Sequence, residues 1–146
     1  MTSRQSGPGP VTEREVETIR AGYDLWNAGD VAGLVELCFS EDIEYRNAPE
    51  WPGQRVYRGA DSVGRFLRDE VAEFIELRPV QIVRADVFAN ELLLELRVHT
   101  HGSMSGLDLQ QVRLFHVARI EGGKVSRVRV YLDEQAATRA AQTGRD

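Results

Sequence analysis

Residues 42–49, DIEYRNAP, set a phenol and an amide two positions apart. In an extended segment Ile43, Tyr45 and Asn47 share one face while Glu44 and Arg46 take the other, so Asn47 sits beside two large apolar groups. Such an amide either closes a turn before Pro49 by bonding nearby backbone, or points into a pocket and orients a ligand. His116 is the second residue with chemistry to offer. It lies between Leu114 and Ala118 on the apolar parity of a β pattern, so it projects into the core or a cavity within it. There it acts as a satisfied core histidine, a hydrogen-bond donor or a proton carrier.

The spacing His99-x-His101, followed by His116, imitates a zinc triad. A hairpin turning around Met104 and Ser105 sets His116 opposite about Leu93, on the order of 20 Å along the strand from His99. Zinc ligands converge within about 4 Å of each other, so no metal is expected. Arg113, Arg119, Arg127 and Arg129 imitate an anion patch, but with Glu95, Asp133 and Glu134 nearby they read as cross-strand pairs or a dimer surface.

The elements that must position these groups are legible in periodicity. Thr12 and Glu15 form a capping box, and Val16, Ile19, Tyr23 and Trp26 recur at helical spacing until NAGD stops the pattern. Tyr23 and Trp26 read as core or pocket wall. Asp30 caps a second helix through Cys38, after which SEDIEYRNAP changes the period from helical to alternating. APEWPGQRVYRG reads as a loop. Val63, Phe66, Leu67, Val71, Phe74 and Ile75 mark a third helix that Pro79 ends. Strands follow at about 80–88, 91–101, 108–120 and 124–132, separated by FANE, GSMSG and EGGK. One parity of the last three strands is apolar; the other carries Glu95, Arg97, His99, Arg113, Arg119, Arg127 and Arg129, and is expected to face water or a polar interface. Helices first and a meander after them describe an α+β layer.

At 146 residues, 42% hydrophobic and 28% charged, the chain fits one globular domain. A net charge of −5 gives no footprint for nucleic acid or anionic membranes. The single cysteine, Cys38, allows no intrachain disulfide and suits a reducing cytosol. MTSRQSGPGP lacks the apolar run of a signal peptide, so a cytoplasmic location is expected.

The stretches WNAGDVAGLVELCFSEDIEY, VYRGADSVGRFL and IEGGKVSRVRVYLDE, in that order, resemble the SnoaL-like branch of the nuclear-transport-factor-2-like superfamily, over roughly residues 13 to 142. The resemblance implies a cone-shaped, strongly curved, mostly antiparallel sheet with three N-terminal helices packed on its concave face around an apolar pocket. It implies no single activity, because the superfamily spans polyketide cyclases, a ketosteroid isomerase, limonene-epoxide hydrolases, dehydratases and noncatalytic proteins. On the isomerase pattern the aspartate base falls on Asn47 and the helix-one tyrosine on Gly22, and an amide cannot take up a proton at useful pH. The isomerase's second acid falls near His116, where an imidazole can donate a hydrogen bond instead. On the epoxide hydrolase pattern Tyr45 and Asn47 match the pair that helps hold water, but the relay positions fall on Val98, Thr100 and Val130. The cyclases' acidic residue near the end of the last strand corresponds to Asp133, with His116 on the strand before it.

The expectation is therefore a flexible tail at 1–11, one domain over 12–142 and a C-terminal tail at 143–146. The candidate catalytic residues are His116, Asn47, Tyr45 and Asp133. Tyr23, Trp26, Trp51, Phe66, Val98, Val130 and Leu132 form the expected ligand wall. The expected ligand is a small hydrophobic molecule, with no cofactor, and the expected assembly is a homodimer through the sheet. The function expected is a cofactor-independent isomerase, cyclase or dehydratase on a carbonyl compound. The alternatives are a noncatalytic binding module and an epoxide hydrolase with a non-standard relay.

Overall fold

The computed structural model describes residues 9–51, 53–71, 79–100 and 110–144, and at 99, 100 and 110–112 the description is of the backbone. The capping box forms as expected: Thr12 Oγ1 accepts from the Glu15 N–H at 3.1 Å, and the Thr12 N–H donates to Glu15 Oε1 at 2.9 Å. It starts helix α1, Glu13–Asn27, which buries Ile19, Gly22 and Trp26. At its end the Asn27 side chain accepts from the Val80 N–H at 2.8 Å and donates to the Val80 carbonyl at 3.0 Å. One amide thus ties the helix to the first residue of a strand 53 positions later. The chain is anchored even before Thr12, since Val11 is buried and its N–H donates to the Ala89 carbonyl at 2.9 Å.

Helix α2, Val31–Cys38, is capped by Asp30, whose Oδ1 accepts from the Gly33 N–H at 2.8 Å. It crosses α1 closely at Gly22, where a Cβ would stand 2.6 Å from Cys38 Sγ and 3.0 Å from Leu34 Cδ1. Gly22→Ala is expected to lower stability by about 1–2 kcal/mol, because overpacking outweighs the roughly 1 kcal/mol gained in helix propensity. Urea unfolding checks this, and an unchanged or raised midpoint contradicts it.

Six strands form one sheet in the order β2-β1-β6-β5-β4-β3. They are β1 Phe39–Arg46, β2 Val56–Arg58, β3 Val80–Phe88, β4 Glu91–Thr100, β5 Gln110–Glu121 and β6 Lys124–Tyr131. All neighbours are antiparallel except β1 and β6. The registers shift within β1–β6, β3–β4 and β5–β6, irregularities of the kind that increase local bend and twist. Strand β2 lies inside the stretch read from sequence as loop; three residues on an edge are too few to show a period. Helix α3, Ala60–Phe66, runs into a π-helical turn, Leu67–Val71, rather than continuing as one regular helix. Phe74, Ile75 and the GSMSG turn lie outside the described residues.

The main core joins α1, α2 and α3 to the concave face through Ile43, Leu92, Leu94, Leu96 and Val128. This is the expected α+β arrangement of helices against one face of a curved, mostly antiparallel sheet. The other face, expected to meet water or a polar interface, is partly covered. A fourth helix, α4, Glu134–Thr143, packs Ala137, Ala140 and Ala141 on Leu93, Phe115 and Val117. Asp133 caps it through the Ala136 N–H at 2.9 Å, and Gly144 ends it at φ +73°, a left-handed conformation that favours glycine.

Beneath α4 lies an ion cluster. Glu91, 2% exposed, accepts from Arg119 Nε at 2.7 Å and faces Arg127 and Arg129 at 3.3 Å each. Arg119 and Arg127 also donate to the Gly144 carbonyl at 2.9 and 2.7 Å, and Arg129 to the Ala140 carbonyl at 3.3 Å. The three guanidinium groups therefore serve the negative end of the α4 dipole. Glu95 and Glu134 receive Arg113 and Arg84 in a second, more exposed network. The cross-strand pairing expected of these charges is present. No helix among the described residues is long and apolar enough to cross a membrane.

Candidate functional site

Strand register sets the floor of the site. Tyr45 pairs with Val128 and Arg46 with Arg129, so Asn47 comes level with Val130, which pairs with His116. His116 in turn pairs with Leu94, one residue from the expected partner. Asn47, Val130 and His116 thus stand in a row across β1, β6 and β5, the outer two roughly 10 Å apart at two strand spacings. His99 pairs with Gln111, which leaves it five residues along β4 from the His116 level, roughly 17 Å away. The side chains of His99 and His101 lie outside the description. Among the described residues no cluster of His, Cys, Asp and Glu could hold a metal.

Above that row, between the helices and the sheet, is a cavity of about 310 Å³. Tyr23, Tyr45, Asn47 and His116 supply polar atoms, and Trp26, Trp51, Val98, Val130 and Leu132 contribute to its apolar wall. Leu132 is 44% exposed and marks the open side. The inward direction of Val98 and Val130 agrees with the face assignment and leaves two positions of the epoxide hydrolase relay without an ionisable group. Two expected members lie elsewhere. Phe66 is 2% exposed in the core, stacked on Tyr57 at 4.2 Å between centroids and tilted against Tyr45 at 5.6 Å. Its helical spacing marked burial correctly and the pocket wrongly. Asp133 is exposed and occupied as the α4 cap, so it is removed from the candidate catalytic set.

Asn47 combines the two readings of DIEYRNAP. It is 5% exposed, and its Nδ2 donates to the Gln54 carbonyl at 3.0 Å. Its backbone N–H donates to the Arg55 carbonyl at 2.9 Å, and its own carbonyl accepts from Arg55 Nε at 2.8 Å. The amide therefore closes the loop between β1 and β2 while lining the cavity. Within that loop the Trp51 N–H reaches the Ala48 carbonyl at 3.0 Å, a tight turn that carries Glu50 and Trp51 to the cavity.

The Tyr23 hydroxyl and His116 Nδ1 are 2.7 Å apart. Both residues are half-buried by surface area because they face the cavity, yet both lie deep enough for burial to dominate their titration. Burial lowers the His116 pKa to about 4, so the ring is neutral at pH 7. Burial raises Tyr23 well above the ordinary phenol value, with Tyr45 adding to the shift, and burial raises Tyr45 and the Cys38 thiol as well. A neutral phenol is a strong donor and a neutral imidazole nitrogen a good acceptor. The preferred arrangement has Tyr23 donating to Nδ1, which places the ring proton on Nε2. Among the described residues Nε2 has no other hydrogen-bond partner. Tyr45 meets the same ring edge-on, 6.5 Å between centroids and 80° between planes.

The reading from sequence missed Cys38, Gly22 and Glu50 as lining residues. Gly22 and Cys38 lie on helices already placed, but their contact depends on how α1 and α2 cross. Glu50 lies between two prolines, where periodicity gives no face; its closeness to Asn47 was the available cue.

Solved structures share this architecture. An NTF2-like protein of unknown function from Burkholderia pseudomallei is 16% identical, with 89% of this chain and 98% of that chain covered at a TM-score of 0.68. A proposed isomerase from Bacillus subtilis is 20% identical, with coverages of 90% and 94% and a TM-score of 0.66. A proposed SnoaL-like polyketide cyclase from Mesorhizobium loti is 20% identical, with coverages of 80% and 97% and a TM-score of 0.55. At these identities the likeness is one of fold. No curated protein matches the chain. Residues 19–128 match the SnoaL-like domain, and with its curved sheet and helices on the concave face, a fold it shares with the NTF2-like structure, the chain belongs to the SnoaL-like family.

Proposed function

We propose that the cavity binds a small, mostly apolar carbonyl compound and acts on it without a cofactor, as an isomerase, cyclase or dehydratase. The observation that carries this reading is the 2.7 Å bond between Tyr23 and His116 inside a mostly apolar cavity. With Nδ1 engaged, Nε2–H is the donor available to a ligand oxygen, and the Tyr45 hydroxyl is a second polar group on the same wall. A neutral donor in a mostly apolar site stabilises the negative charge that develops on a carbonyl oxygen as the α C–H bond breaks and its proton passes to water, more strongly than it stabilises the ground state. Among structures of the same fold, one proposed isomerase and one proposed SnoaL-like polyketide cyclase support this class of chemistry.

Binding without turnover is the second reading. It is favoured by Asn47 at the level of His116, because an amide there orients a ligand but takes up no proton.

The test is a matched pair, 2-tetralone against tetralin, titrated into the wild-type protein and His116→Ala. The ketone is expected to bind about 5- to 10-fold more tightly than the hydrocarbon, the worth of one hydrogen bond of about 1–1.5 kcal/mol in an apolar site. His116→Ala is expected to erase that preference while circular dichroism shows the fold retained. An equal loss for ketone and hydrocarbon would remove the polar role of His116. Enol formation separates the two readings: wild-type protein accelerating α-proton exchange of 2-tetralone in D2O above the buffer rate supports an enzyme, and binding without acceleration supports a carrier.

A further inference from the structure

Among the described residues that line the cavity, Glu50 is the sole charged side chain, and neither Lys nor Arg is present. Glu50 is exposed, follows Asn47 by three residues and is carried on the turn that the Trp51 N–H closes onto the Ala48 carbonyl. That turn does not hang free. Asn47 fixes its near end through the Gln54 and Arg55 carbonyls, and Arg55 Nε returns to the Asn47 carbonyl. Glu50 and Trp51 therefore come to the open side as a unit, a carboxylate beside an indole, while the neutral Tyr23–His116 pair occupies the buried side. A carboxylate and an indole face both attract a cation. An anionic ligand would meet one carboxylate and no compensating charge along the described wall.

Resting on the reading of His116 as a carbonyl donor, the geometry points to a ligand with two ends: an uncharged carbonyl held inside by His116, and a protonated amine held at the mouth by Glu50 and Trp51. The substrate class is an apolar aminoketone rather than a keto acid or a phosphorylated ketone. The mouth contributes modestly, because an ion pair open to water and a cation over an exposed indole are each worth only a few-fold in affinity. Discrimination against anions is the sharper effect, since repulsion then replaces attraction.

Three 2-tetralones that differ at one distal ring position test this: aminomethyl, hydroxymethyl and carboxylate, titrated calorimetrically at pH 7 and low salt. Wild-type protein is expected to bind the ammonium compound about 3- to 10-fold more tightly than the hydroxymethyl compound, and the carboxylate more weakly than either. Glu50→Gln is expected to shrink the preference for the ammonium compound to about 2- to 3-fold, which the indole alone supplies, and Glu50→Lys to reverse the order. Raising the salt to 0.5 M should also compress the spread in wild-type protein, because the pair is exposed. A spread unchanged by Glu50→Gln, or an order that favours the carboxylate in wild-type protein, overturns the assignment of Glu50. His116→Ala reports separately on the inner end. If it weakens all three compounds alike and leaves tetralin unaffected, the carbonyl reading stands whatever Glu50 does. If none of the three binds wild-type protein, or His116→Ala weakens none of them, the carbonyl reading falls and this one with it.

Discussion

Replacing Glu91 with glutamine is expected to cost about 3–5 kcal/mol, the largest stability loss of any conservative substitution considered, because it strands buried positive charge. Glu91 is 2% exposed and Arg129 1% exposed, and Arg119 and Arg127 close over the same carboxylate. Burial and the neighbouring guanidinium groups already depress the Arg127 pKa, in that order of size. Glutamine keeps the shape and one acceptor oxygen but removes the one negative charge that these three cations share. The carbonyls of Gly144 and Ala140 are dipoles and do not replace it. The comparison is Glu95→Gln, where both arginine partners are substantially exposed and the loss should stay near 1 kcal/mol or below. Urea unfolding of the two variants decides the matter. Equal losses would mean that water reaches the Glu91 cluster and that α4 does not seal it. Because Ala137, Ala140 and Ala141 rest on the strands beside the cluster, near-ultraviolet dichroism of Glu91→Gln should also report loosening around Phe115 and Tyr131.

That helix shows where the sequence was readable and where it was not. Capping boxes, turn residues and alternating strands are local signals, and α1, α2 and the four long strands fall close to where those signals put them. The role of α4 is a long-range fact. DEQAATRAAQTG has an acidic cap, helix formers and a glycine stop, but its apolar residues are alanines, too small to produce an evident stripe. The matching signal was on the charged parity itself, where Leu93, Phe115 and Val117 interrupt the charges, and the arginines around them dominated the reading. Asp133 was misplaced for the same reason: a carboxylate ending the last strand looks like a site residue until a helix is seen to begin there. In the pocket, parity located Tyr45, Asn47, Val98, Val130 and His116, since period two carries face directly. Phe66 and Glu50 escaped because the rotation of α3 and the path of a proline-bounded loop are fixed by tertiary packing.

The protein is expected to lose up to about 3 kcal/mol of stability between pH 7 and pH 4 through His116 alone. In the folded chain burial holds its pKa at about 4, against about 6.5 for an unfolded histidine. Between those values the unfolded chain binds a proton that the folded chain does not, so stability falls as pH falls. The contribution is fully present above pH 6.5, declines through the window down to about 4 and changes little below it, where both states are protonated. The bond from Tyr23 acts in the same direction, because Nδ1 accepts a hydrogen bond from the hydroxyl only while the ring is neutral. Carboxylates also titrate in this range, so the informative quantity is a difference. Urea unfolding of wild-type protein and His116→Asn at pH 7, 5.5 and 4.5 isolates it, since asparagine fills part of the site and does not titrate. The wild-type curve should descend more steeply, with most of the divergence between pH 6.5 and 4.5. Parallel curves would mean that the ring titrates normally and is open to water, and a polarising Nε2–H inside a dry pocket would then lose its physical basis. If 2-tetralone requires the neutral ring, saturating ligand should raise stability across the range and carry the steep part of the wild-type curve to below about pH 4, because a ligand that binds only the unprotonated folded state holds the folded pKa lower still.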